Sequence, residues 1–213
     1  ERDPDGPGSN FGCLTTPKLL CTDAAGHLMP KYAPNLEPYM RRILFDGVPS
    51  CLPNDGRFGT PGRWVPHERK VDGATDTDWS LLVFDTCAAS FMYSAHLIMR
   101  EGRSAGFVLR QQGDDVYGGA YIVLLDFEAG EVLFTRARDF PRIEARRWLL
   151  RHGVRYHLRV VAKGPFFEAY VDDVLALQLH APMWPAGRLG LWVEQGAATF
   201  ENLEGRELSA RNG

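Results

Sequence analysis

From about Trp79 onward the chain is a succession of short apolar runs separated by turn signals, and no helical pattern of about ten residues or more lies between them. Ser90 to Met99 is one run and Arg103 to Gln111 another. Tyr121 to Phe127 leads through Glu128-Ala129-Gly130 into Val132 to Thr135, the pattern of a hairpin with a glycine-containing loop. Tyr156 to Ala162 alternates and ends at Lys163-Gly164-Pro165. Phe166 to Val171 turns at Asp172-Asp173 into Val174 to Leu179, and Arg188 to Glu194 turns at Gln195-Gly196 into Ala198 to Leu203. Strands at this spacing predict an all-β fold, an antiparallel two-sheet β-sandwich; a parallel sheet would need crossover helices.

The strands differ in how many of their faces are covered. Tyr121 to Phe127 has almost lost its alternation, which predicts a central strand or one covered on both sides. In Leu189 to Glu194 the leucines and Val193 take one face, and Gly190, Trp192 and Glu194 take the other. With 213 residues, 45% of them hydrophobic, the chain can bury a real core.

The first part of the chain is organised differently. Residues 1 to 12 form a polar leader, followed by apolar runs at Cys13 to Thr16 and Leu19 to Cys21. Asp23-Ala24-Ala25-Gly26 suits a type I turn before His27-Leu28-Met29. Asn35 to Leu44 is expected to form one short helix with Asn35 as its N-cap, and Ile143 to Leu150 one more turn. The division expected is a connector over residues 1–45 and a sandwich over 46–213. Leu14, Leu19, Leu20, Leu28, Leu36, Met40 and Leu44 are too apolar for a solvated tail, so the connector should pack against the sandwich or a partner. The start at Glu1 reads as a processed or internal point.

Several function classes are disfavoured. The net charge is −3, and Asp139 and Glu144 interrupt the arginine-rich stretch from Arg136 to Arg155, so a nucleic-acid partner is not expected. No run has the roughly 20 apolar residues of a membrane span. Cys13, Cys21, Cys51 and Cys87 form no C-x-x-C pair and the histidines no metal-ligand spacing, so no metal or other cofactor is expected. Cys13 and Cys21 could bridge or remain buried thiols. No G-x-S-x-G, phosphate loop or dinucleotide fingerprint occurs; Gly118-Gly119 is a turn signal only. A glycosidase needs two convergent carboxylates. Glu201-Asn202-Leu203-Glu204 lacks the central Asp of the E-x-D-x-x-E pattern, and Asp172-Asp173 sits on a turn, so no catalytic residue is assigned.

Sugar binding needs planar polar groups for hydroxyls and an aromatic surface for the ring. Arg110, Tyr121, Trp192 and Glu194 are the candidates. Arg110 is expected on one strand face with Gly106 and Val108, and Glu168 and Tyr170 are expected to share a structural hydrogen bond.

The run from Arg155 to Asp173 (RYHLRVVAKGPFFEAYVDD), followed by Gly187 to Glu194 (GRLGLWVE) and Ala198 to Leu203 (ATFENL), resembles the C-terminal sandwich of glycoside hydrolase family 32, the fructan and sucrose hydrolases. Arg103 to Arg110 (RSAGFVLR) fits the same domain. Leu14 to Leu20 and Asp23 to Leu28 resemble the segment leaving that family's catalytic propeller. The likeness extends to concanavalin A-like jelly rolls and levan-binding modules. That family's W-M-N-D-P-N-G and E-C motifs are absent; Arg2-Asp3-Pro4 matches its R-D-P motif without propeller sequence around it. The resemblance therefore implies an accessory domain that binds carbohydrate or stabilises a catalytic propeller. A complete small sugar hydrolase with dispersed carboxylates and a purely structural interaction domain are the other two readings.

Overall fold

A computed structural model describes residues 16–40, 42–53, 62–115, 118–137 and 141–208. Cys13, Leu14 and Arg2-Asp3-Pro4 lie outside these residues. Strands β1 (Lys18–Thr22) and β2 (Leu28–Tyr32) form a hairpin. The turn between them is the one expected: Gly26 N–H donates to Asp23 O at 3.0 Å, and the Asp23 carboxylate accepts from Ala25 N–H and His27 N–H. The helix expected over 35–44 is shorter, a 3-10 turn at Pro34–Tyr39 capped by the backbone of Ala33 and not by Asn35. Pro38 lies inside it and cannot donate an N–H, and the chain leaves as strand β3 (Arg42–Asp46).

Strand β4 (Arg63–Pro66) pairs with β5 (Lys70–Ala88), and β6 (Phe91–Gln111) follows. Next come β7 (Tyr121–Asp126), β8 (Glu131–Arg136) and β9 (Glu144–Arg147), the last in place of the expected turn at 143–150. Strands β10 (Arg155–Lys163), β11 (Phe166–Val171), β12 (Val174–His180) and β13 (Gly187–Glu207) complete the fold. The β11–β12 turn has Asp172 and Asp173 at φ 51° and 64°, the left-handed pair that a tight hairpin requires.

All named pairings are antiparallel, in the order β1-β2-β12-β11-β10-β6-β13-β5-β4, with β7, β8 and β9 branching from β6 and β3 pairing with β13. The runs at 90–99 and 103–111 are one strand, as are 188–194 and 198–203. Gln195-Gly196 is therefore a bend and not a turn. Gly196 pairs with Gly102 there, and a Cβ on either would run into the other strand's backbone. The first half of β6 pairs with β10 and the second half with β7, so the long strands carry hydrogen bonding from one layer into the other.

The layers close on a shared core. Tyr121 of β7 and Phe134 of β8 meet Phe167 of β11 at centroid distances of 5.2 and 5.3 Å. A smaller apolar cluster of Leu81, Val83, Val108, Ile122, Leu124 and Trp192 lies on the other face of β5, β13, β6 and β7. Beyond β10, Glu168 is buried and accepts from Tyr170 Oη at 2.8 Å, as expected, and also from Lys18 Nζ at 2.7 Å and from Thr16. Tyr32 lies under the Arg159 guanidinium, 3.8 Å from ring to Cζ. Thr16, Lys18 and Tyr32 are thus held on the sandwich. Among the described residues no helix is long and apolar enough to cross a membrane.

Candidate functional site

Alternation along β13 sends Leu189, Leu191 and Val193 into the core and turns Trp192 and Glu194 to the opposite face. Register brings Trp79 of β5 opposite Glu194, with Ser104 of β6 on its other side. Trp79 and Trp192 stack there, and Trp192 Nε1 donates to Ser104 Oγ at 3.3 Å. Ser104 Oγ donates in turn to Glu194 Oε2 at 2.7 Å, and Arg103 Nη1 donates to Glu194 Oε1 at 3.0 Å. Arg103 Nε also lies 3.4 Å from Glu128 and 4.0 Å from Asp126.

These groups surround a cleft of about 310 Å³, lined by Trp79, Arg103, Asp126, Thr135, Trp192 and Glu194 with Leu124 and Leu133 at its side. Asp126 is held by the β7–β8 loop, where Ala129 N–H donates to its Oδ1 at 2.8 Å. One guanidinium among three carboxylates makes the rim rich in fixed acceptors and disfavours anionic ligands. Planar donors and acceptors beside paired indoles suit the hydroxyls and apolar face of a neutral sugar. Among the described residues no group of three or more His, Cys, Asp or Glu is placed to hold a metal ion.

The structure brings Trp192 and Glu194 together and separates Arg110 and Tyr121 from them. Between Val108 and Gln111, β6 has an extra residue relative to β13, and Arg110 takes φ 54°. That bulge turns Arg110 away from the face of Gly106 and Val108, correcting the expected alternation. Its guanidinium is fully buried over the Phe167 ring and donates to Trp184 O, Ala89 O and Gly164 O at 2.8, 2.5 and 2.6 Å. Burial lowers it to about 10. Tyr121 is a core residue whose Oη donates to Ala181 O at 3.0 Å. Sequence reading missed Trp79, Arg103 and Asp126. The Trp79-Leu81-Val83 alternation on β5 was an available signal for the first of these.

No protein-family model matches the chain. Over 146 residues, 67% of the chain, it is 25% identical to a levanase of Bacillus subtilis (strain 168), and the match spans 21% of that protein. The chain therefore corresponds to about a fifth of that relative's length. The carbohydrate binding module CBM66 from Bacillus subtilis superposes with a TM-score of 0.61 at 23% identity, covering 68% of this chain and 92% of that one. An Aspergillus kawachii beta-fructofuranosidase complexed with glycerol superposes with a TM-score of 0.55 at 14% identity, covering 90% of this chain and 33% of that one. The chain is homologous to part of a levanase and has the sandwich fold of these proteins.

Proposed function

We propose that the chain is a non-catalytic, carbohydrate-binding accessory sandwich of a fructan-active glycoside hydrolase. The observation that carries this is the cleft in which the Trp79–Trp192 stack meets the Arg103–Glu194 pair. Homology to a levanase segment supports a fructan as the sugar. Calorimetric titration with levan and inulin tests it. Wild type should bind one of them, and Arg103→Met, with an unchanged circular dichroism spectrum, should bind at least about tenfold more weakly. Wild type binding no member of a broad glycan panel would leave only the structural reading.

Two further features bear on the alternatives. Asp126 and Glu194 flank the same Arg103 guanidinium, and each also accepts a fixed hydrogen bond, from Ala129 N–H and Ser104 Oγ, which supports a binding role for the pair. Hydrolysis of sucrose or fructan by this chain alone would contradict the non-catalytic reading. On the β1–β2 hairpin Leu20 and Leu28 are 70% and 71% exposed, which supports a second role in docking to a catalytic domain.

A further inference from the structure

The face of β5, β6 and β13 that carries the cleft has a second depression at its far end. Arg188 shares that face with Trp192 and Glu194, because Leu189, Leu191 and Val193 point into the core. From Arg188 to Glu194 the strand runs about 20 Å at the usual rise of about 3.3 Å per residue. Buried Val83 and Val108, both opposite Gly190, stand between the two depressions. The second has a volume of about 350 Å³ and is walled by Asp85, Gln111, Gln112 and Arg188 with the backbone of Gly113 and Gly187.

Gln111 is the informative residue. It is 2% exposed, and its Nε2 donates to Gln112 O and Asp115 O, both at 2.7 Å. Two carbonyls at that nitrogen settle which way the amide is turned, since the amide oxygen in its place would face two acceptors. Oε1 is left buried with no donor among the described residues, a destabilising state unless something donates to it. Asp85 is exposed, and its carboxylate makes no hydrogen bond or ion pair among the described residues. Arg188 Nη1 donates to Gly113 O at 2.6 Å and lies 3.1 Å from Asp114 Oδ1, which holds the guanidinium in place and leaves other N–H groups to donate.

We infer that this depression is a second carbohydrate site. A sugar residue there donates hydroxyls to Gln111 Oε1 and Asp85 and accepts from Arg188. The inference rests on the reading of the chain as a glycan-binding domain. No aromatic ring walls the depression. Recognition there rests on hydrogen bonds without ring stacking, and is weaker than in the tryptophan cleft. A polysaccharide with many chain ends can engage both sites of one domain, gaining avidity without any further contact.

Amide and indole NMR spectra recorded during titration with levan oligosaccharides test this. Two saturating sets of shifts are expected, one on the Trp79 and Trp192 indoles and one on the Gly113 and Gly187 amides. Trp79→Ala should suppress the first set and leave the second. Asp85→Ala combined with Arg188→Met should weaken the second at least about fivefold and leave the first. Asp85 is exposed and Arg188 partly so, an unchanged circular dichroism spectrum checks that the double variant is folded, and Gln111→Met provides the same loss from the buried side. Shifts at the indoles alone would overturn the second site and keep the proposed function. Shifts at the two glycines alone would keep the second site and overturn the assignment of the cleft. Shifts at neither would overturn both.

Discussion

Trp79 and Trp192 stack with ring centroids 5.0 Å apart and planes 15° from parallel, yet Trp192 is buried while Trp79 is only partly so. The two indoles therefore answer differently to substitution. Trp192→Ala should lower stability by about 3–5 kcal/mol, because it opens a cavity beside Leu81 and Val108. Trp79→Ala should retain most of the stability and weaken glycan binding by about tenfold or more. Urea denaturation and calorimetry on the two variants separate these effects. Unchanged binding by Trp79→Ala would place the sugar elsewhere.

Arg110 should prove structural. Its guanidinium holds three backbone carbonyls from separate segments, at Ala89, Gly164 and Trp184. Arg110→Met should cost about 3–5 kcal/mol, because three buried acceptors lose their donors. Arg110→Lys should recover only part of this, since one ammonium cannot reproduce the planar fork. Denaturant midpoints check both variants. A lysine variant as stable as wild type would remove the geometric argument.

Lys18 and Glu168 clasp the first strand to the sandwich, with side chains only 13% and 4% exposed. Lys18→Met leaves the carboxylate of Glu168 buried without its cation, which should cost about 3–5 kcal/mol. Hydrogen exchange should accelerate first across β1 and β2, whose link to β12 is a single Val174–Lys31 pairing and a Tyr32 N–H bond to Asp173 O. Uniform acceleration across the whole sandwich would show that the hairpin is not a separable unit.

The strand pattern was readable because it is local. Asp172-Asp173 declared a tight turn by composition, and the alternation of Trp192 and Glu194 put both on one face. Gln195-Gly196 gave the same local signal as a turn, but Gly102 meets Gly196 from a distant strand and the chain only bends. Arg110 followed the alternation of its neighbours until a bulge set by pairing with β13 reversed it. Trp79 and Arg103 reach the cleft through the register of β5 and β6 on β13, a relationship between segments that no short window contains.

Acid should weaken the fold through a histidine pair. His96 and His157 lie directly opposite each other on β6 and β10 and stack at 4.8 Å. Burial lowers both, and neighbouring Arg155 and Arg159 push the same way, bringing His157 to about 4. A folded value below the ordinary one of about 6.5 means that the unfolded chain binds more protons between pH about 6.5 and about 4. Stability should therefore fall as pH drops through that window, and this contribution should level off below it. Urea midpoints of wild type and His157→Gln at several pH values test the sign. The variant should show the shallower decline, and a parallel decline would assign the acid sensitivity to other groups.

Strand β13 lies between β5 and β6, pairing along most of its length with both. Among the described residues it is also the last strand in chain order, so the ribosome finishes the centre of this sheet after its flanks. Until residues 187–207 emerge, two long strands of 19 and 21 residues have no partner along their facing edges. Strand edges in that state readily pair with other chains. The nascent domain should therefore depend on chaperone protection until residues 187–207 have emerged, and chains truncated before Gly187 should aggregate and not persist as a smaller sandwich.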